Sequence, residues 1–227
     1  MSFFRPALAL ASLLIATSSL AAPLIIVESQ GSDLAAGSTI DDKAPLTLAD
    51  GAKLVLIGED GSQITLRGPF KGAAAGAGAG ASQQLAGLLS ARGADTTSLG
   101  AVRDAGPRAP LPEAWVVDPS ASGAACVKAG QDLVLWRTDS AKVAHLTLMP
   151  ADRAWTANTE WPAGEARLAL PDLPIQDGGT LLFEIDGNAA ALTFHLVPAA
   201  VTTPKMTAGW LAAKQCDRQA QAMALAH

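Results

Sequence analysis

The chain has few of the residues from which catalytic and metal sites are built. Its 227 residues include no tyrosine, two cysteines and three histidines, His145, His195 and His227. No histidine pair has the H-x-x-H or H-E-x-x-H spacing that places two zinc ligands on one helix face. No G-x-S-x-G motif is present, and the Gly/Ala tract at 72–81 lacks the Lys-Ser/Thr of a phosphate loop. We therefore expect no catalytic residue, metal or cofactor, and interpret the protein as a non-enzyme.

A strong charge of either sign is also absent. Sixteen basic residues stand against twenty-one acidic ones, for a formal net charge of -5. Without a basic cluster there is no electrostatic attraction for nucleic acid or for an anionic membrane. No apolar run of about 20 residues follows the shorter N-terminal one, which predicts no membrane span in the mature chain.

The N-terminus has the three-part layout of a secretory signal peptide. Arg5 supplies the positive charge, Ala7–Ala16 form a short apolar run, and Ser19-Leu20-Ala21 place small residues at the cleavage site. We expect a signal peptide over residues 1–21 and an exported mature chain. An uncleaved N-terminal anchor is the alternative.

The two cysteines fit an exported protein, because an oxidising compartment would join them. Cys126 and Cys216 would close a loop of about 91 residues, for which the chain-entropy model gives at most about 4.6 kcal/mol. No C-x-x-C spacing indicates redox work. We expect a structural disulfide, with two buried free thiols as the alternative.

The sequence divides the mature chain into three zones. Residues 22–70 contain short apolar or alternating runs separated by Asp50-Gly51 and Asp60-Gly61, which predict two hairpins in a small antiparallel meander. Residues 71–112 are an Ala/Gly-rich and Pro-rich linker with one helical segment, Ser82–Arg92. Residues 113–227 return to strands with the turn spacing of a β-sandwich. The strands expected there are 114–117, 132–137, 143–149, 166–170, 180–185 and 190–196.

A C-terminal helix is predicted to close this last zone. Thr203 can cap it, Pro204 suits its first position, and the apolar spacing continues from Lys205 to about Leu225. Cys216 falls near the apolar face, so a bond to Cys126 would clamp the helix onto the sandwich. The overall expectation is a mainly β protein: a small antiparallel β-domain, a linker, and a β-sandwich-like domain closed by a helix.

Trp155 and Trp161 are the candidate contact residues. They flank a polar stretch, 156–160, which we interpret as a loop. Paired tryptophans on a loop can stack on sugars or anchor a partner protein. With only ten aromatic residues in the chain, burial of these two in the core is the competing interpretation.

The first zone resembles the FecR-like periplasmic β-domain. The resemblance is carried by Gly37-Ser38-Thr39-Ile40, by the strand–turn–strand run from Leu46 to Leu56 around Asp50-Gly51, and by its continuation from Asp60-Gly61 to Phe70. It covers about fifty residues and implies a periplasmic, non-catalytic module for sensing or protein contact. In signalling members a cytoplasmic segment and a membrane helix precede this domain, whereas here a predicted signal peptide does.

These observations predict a non-enzymatic interaction or sensing module of the bacterial cell envelope, located in the periplasm. Its expected partner is an envelope protein, bound by strand addition at a sheet edge or through the Trp155–Trp161 segment. The alternatives are a carbohydrate or small-ligand binder, or a hydrolase, that uses the same segment, and a structural envelope component that self-associates.

Overall fold

A computed structural model describes residues 21–77 and 108–226. Most of the expected signal peptide, the linker helix expected over 82–92, and His227 lie outside the described residues. The expected fold class is confirmed, since the described chain is mainly β and ends in helices.

Six strands lie within residues 21–77: β1 (Pro23–Gln30), β2 (Thr39–Asp41), β3 (Pro45–Leu48), β4 (Lys53–Gly58), β5 (Gln63–Arg67) and β6 (Phe70–Ala73). They make one antiparallel sheet in the order β2-β1-β4-β5 and a separate β3-β6 pair. The hairpin at Asp60-Gly61 is confirmed, because β4 pairs with β5. The hairpin expected at Asp50-Gly51 is wrong: β3 pairs with β6 and β4 pairs with β1.

Strand β4 is apolar from Leu54 to Ile57 because both of its faces are covered there. Leu54 and Leu56 pack on the side where Leu46 and Leu48 of β3 close a small core. Val55 and Ile57 point to the opposite side and join a core that includes the C-terminal helices. The continuous apolar run predicted this double burial.

Seven strands lie within residues 108–226: β7 (Gly123–Lys128), β8 (Leu133–Trp136), β9 (Ala144–Pro150), β10 (Ala157–Trp161), β11 (Arg167–Leu170), β12 (Thr180–Ile185) and β13 (Asn188–Val197). A five-stranded sheet has the order β10-β9-β12-β13-β7, in which β7 runs parallel to β13. The separate β11-β8 pair packs against this sheet through a shared core. Five of the six expected strands are present here. The strand expected at 114–117 is wrong, since only Val117 makes an isolated bridge, to Leu135.

The sandwich core lies between these two sheets. Phe183, Phe194 and Trp161 from the larger sheet meet Leu133 and Leu135 of β8, and all five are essentially inaccessible to solvent. A chain with so few aromatic residues thus places three of them in one core.

The single C-terminal helix that we expected is two helices, α1 (Pro204–Ala213) and α2 (Asp217–Leu225). Thr203 caps α1 as expected, with its hydroxyl oxygen accepting from the Met206 N–H at 3.2 Å. The break comes at Gln215, whose φ of 62° lies in the left-handed region and turns the chain between the helices.

The helices form a layer that contacts both β parts. Val55 and Ile57 of β4 share one core with Trp210 and Leu211 of α1 and with Val197 of β13. The Thr203 hydroxyl donates to the Glu59 C=O at 2.9 Å, across 144 residues of sequence. The two β parts, which the sequence presents as separate units, are therefore joined through α1.

A disulfide between Cys126 of β7 and Cys216, at the α1–α2 junction, fixes this layer to the larger sheet. The two Cα atoms are 6.0 Å apart and both residues are buried. The expected pairing is confirmed, and it clamps the bend between two helices rather than the middle of one.

Candidate functional site

The structure separates the two candidate tryptophans. Trp161 is 0 % exposed and belongs to the sandwich core, so it has no surface to offer a partner. Trp155 is half-buried against the same core. The residues between them, expected to be a loop, include strand β10, the outermost strand of the five-stranded sheet. The segment between the two tryptophans therefore forms an edge of the five-stranded sheet.

The backbone of β10 presents free groups at this edge. His145 of β9 uses its N–H and C=O on the β12 side, with the Asp186 side chain at 2.9 Å and the Asp186 N–H at 3.2 Å. Because the backbone groups of successive residues in a strand point to opposite sides, the N–H and C=O groups of Ala144, Leu146 and Leu148 point toward β10. Their partners are Trp161, Thr159 and Ala157. The N–H and C=O groups of Asn158 and Glu160 therefore point away from the sheet.

The side chains of Asn158 and Glu160 are exposed on the outer sheet face and contact the neighbouring strand. The Thr147 hydroxyl donates to Asn158 Oδ1 at 2.8 Å. Glu160 Oε1 lies 3.9 Å from His145 Nδ1, and both side chains are more than 70 % exposed. The Glu160 C=O receives only a long 3.5 Å contact from the Thr159 hydroxyl.

Arg137 contacts the C-terminal end of β10. Its guanidinium lies 4.9 Å from the Trp161 ring centroid and donates through Nη2 to the Pro162 C=O at 2.7 Å. Its Nε donates to the Glu165 C=O at 3.1 Å. Pro162 has no N–H, so the open edge is confined to the outward groups of Asn158 and Glu160.

The edge of β7 is closed by a buried glutamine. Gln219 of α2 accepts from the Cys126 N–H at 2.7 Å and donates to the C=O groups of Cys126 and Ala114 at 2.7 and 2.8 Å. Its side-chain amide thus supplies the hydrogen bonds that a further strand would make.

The remaining edges are short or positively charged. Strand β2 has three residues, and the strands of the two-stranded sheets, β3, β6, β8 and β11, have four each. Strand β5 places Arg67 opposite Lys53, and cationic side chains are a common protection against pairing with another chain. Strand β10 has five residues, as many as β5, but within Ala157–Trp161 there is no Lys or Arg.

A cleft of about 190 Å³ lies beside the disulfide, between β7 and the start of α2. Asp118 and Arg218 form an ion pair on its wall at 2.8 Å. Burial acts to raise the pKa of Asp118, but hydrogen bonds from Ser120 and Arg218 outweigh burial and lower it. Burial raises the pKa of Asp217. The cleft is smaller than the pockets that hold most small molecules.

The two histidines within the described residues do not form a cluster. His145 is exposed, as described above. Burial and the nearby Lys214 lower the pKa of His195, against the opposing effect of Asp177 at 3.8 Å. In residues 21–77 and 108–226, no three His, Cys, Asp or Glu side chains are grouped as metal ligands.

Comparison with known proteins does not assign a family. No protein-family model matches the chain, and no curated protein matches it. In the described part of the chain, no helix has the length and apolar character needed to cross a bilayer.

Proposed function

We propose that this protein is an exported, non-enzymatic interaction or sensing module of the bacterial cell envelope. It binds an extended segment of another envelope protein by strand addition at β10. The observation that carries the proposal is the outward direction of the backbone groups of Asn158 and Glu160 at an edge that nothing in the described chain covers.

Strand addition follows from the chemistry of that edge. An incoming extended segment pairs its own N–H and C=O groups with those of Asn158 and Glu160 and enlarges the five-stranded sheet to six strands. Outer-face side chains of the segment then lie next to Asn158 and Glu160, which supply specificity. Trp155, half-buried beside the start of β10, offers an adjacent aromatic surface.

The disulfide supports export. A buried bond between Cys126 and Cys216 is compatible with an oxidising compartment and unusual in a reducing cytoplasm. The periplasmic location, the signal peptide and the likeness of the N-terminal part to FecR-like domains belong to this proposal.

Site-specific photo-crosslinking in cells tests the partner. A photoreactive residue replaces Asn158 on β10 or, as a matched control, Thr65 on the β5 edge, and captured proteins are identified by mass spectrometry. We expect one dominant envelope protein from position 158 and background from position 65. Equal capture from both positions, or background from both, contradicts the proposal.

A proline substitution links capture to strand addition. Glu160→Pro removes an outward N–H and places a ring in the path of an added strand, while edge strands tolerate proline. Capture should fall to background in this variant, and circular dichroism should show the fold retained. Unchanged capture would show that the partner docks elsewhere.

Ligand binding by a pair of tryptophans, the alternative suggested by the sequence, gains no support. Trp161 is fully buried, and only Trp155 retains accessible surface.

A further inference from the structure

The open edge of β10 is complementary to itself. If two copies meet antiparallel about a two-fold axis through Thr159, Asn158 of each copy lies opposite Glu160 of the other. Both residues direct their backbone groups outward, so the two pairs make four N–H···O=C bonds. The Thr159 residues face each other as a non-hydrogen-bonded pair.

The side chains of this register match as well. Because the Thr147 hydroxyl donates to Asn158 Oδ1 at 2.8 Å, the Asn158 amide keeps its Nδ2 donors for another group. In the paired strands those donors meet the carboxylate of Glu160 in the second copy. That carboxylate also lies 3.9 Å from its own His145. Each amide–carboxylate contact occurs twice, once on each side of the axis.

Neighbouring registers fit less well. An axis through Glu160 sets two carboxylates against each other and brings Asn158 opposite Pro162, which has no N–H to donate. An axis through Asn158 places Glu160 opposite Thr156, so the carboxylate has no amide partner. The edge of β5 offers no comparable match, because Arg67 would face the uncharged Gln63 in a pair centred on Thr65.

We infer that a second copy of this chain pairs with β10 through the register centred on Thr159, giving a symmetric dimer with a continuous ten-stranded sheet. The inference rests on the proposed function in that both use the same edge. It adds that the edge is occupied by another copy until an envelope partner displaces it.

A cysteine trap tests the register. Opposed residues in a non-hydrogen-bonded antiparallel pair have Cα atoms about 4.5 Å apart, within the range that a disulfide spans. Purified Thr159→Cys protein, oxidised under mild conditions, should therefore form a covalent dimer linked through position 159, as located by peptide mapping. Thr65→Cys on β5 is the matched control and should remain monomeric.

Charge variants in the trap background decide whether the Asn158–Glu160 match is the cause. Asn158→Glu sets carboxylates against each other and should reduce trapping at least tenfold. Asn158→Lys, opposite Glu160, should increase it, and adding Glu160→Lys to Asn158→Glu should restore it. Because the side chains of Asn158 and Glu160 are exposed, we expect these variants to fold as the wild type does.

The outcomes separate this inference from the proposed function. The dimer is refuted if folded Thr159→Cys protein stays monomeric, or if the yield of covalent dimer is the same in all the charge variants. Capture of an envelope partner from position 158 can still succeed in that case. If the trap works but position 158 captures no other envelope protein, the dimer stands and the proposed partner fails.

Discussion

Replacing Gln219 with leucine should strongly destabilise the protein. This buried side chain makes three hydrogen bonds of 2.7–2.8 Å, with the Cys126 N–H, the Cys126 C=O and the Ala114 C=O. Leucine has a similar size but cannot make these bonds. It leaves three buried backbone groups without partners, each of which costs about 1–3 kcal/mol. Allowing for some relaxation, we expect a loss of about 3–5 kcal/mol, a large part of the 5–15 kcal/mol typical of a folded protein.

Urea denaturation followed by tryptophan fluorescence measures this loss. With a slope of about 2 kcal/mol per molar urea, the midpoint should fall by about 1.5–2.5 M. Gln131→Leu, at an exposed position, is the matched control and should change little. A Gln219→Leu midpoint within about 0.5 M of the wild type, at unchanged slope, would refute the argument that this amide closes the β7 edge.

Three further predictions concern the layer that joins the two β parts. Replacing Cys126 and Cys216 together by alanine should cost up to about 4.6 kcal/mol in the free energy of unfolding, measured by denaturation against the oxidised wild type; no loss would contradict the clamp. Asp118→Asn should destabilise most at neutral pH and least in acid. The pKa of Asp118 is lower in the folded protein than in the unfolded chain, where it is about 3.9. Ionised Asp118 therefore stabilises the folded state fully above about pH 3.9, and this stabilisation is lost as the pH falls through the folded pKa. A pH-independent difference in urea midpoint between variant and wild type would contradict this. Gly209→Ala should destabilise strongly, because the new Cβ would lie 2.6 Å from the Gly61 C=O where α1 crosses the β4–β5 turn. Ala222→Gly, at a half-buried position that packs against the same core, should show the smaller loss expected from helix propensity and one methyl group. Equal effects in thermal melts would contradict the close approach.

The sequence predicted those elements whose pattern is local. A continuous apolar run predicted strand β4, and the turn residues Asp60-Gly61 predicted the hairpin between β4 and β5. Strand β7 was missed because its sequence, Gly-Ala-Ala-Cys-Val-Lys, consists mostly of small residues that do not stand out as a strand. The break at Gln215 was missed because neither glycine nor proline marks it.

The candidate site was only partly predictable for a related reason. Strand β10 alternates Ala157, Thr159 and Trp161 inward with Asn158 and Glu160 outward, but only one inward residue is large and apolar. The tryptophan segment could be selected from its residue types. That it forms a sheet edge depends on strand order, which is set by pairings between distant parts of the chain.

The most direct test of the central claim is residue-resolved amide hydrogen exchange at the β10 edge. The N–H groups of Asn158 and Glu160 should exchange quickly in dilute protein and become protected when the envelope partner is added. The N–H groups of Thr65 and Arg67, on the β5 edge, should not change. Protection at β5 instead, or partner binding that leaves Asn158 and Glu160 unprotected, would contradict strand addition at β10.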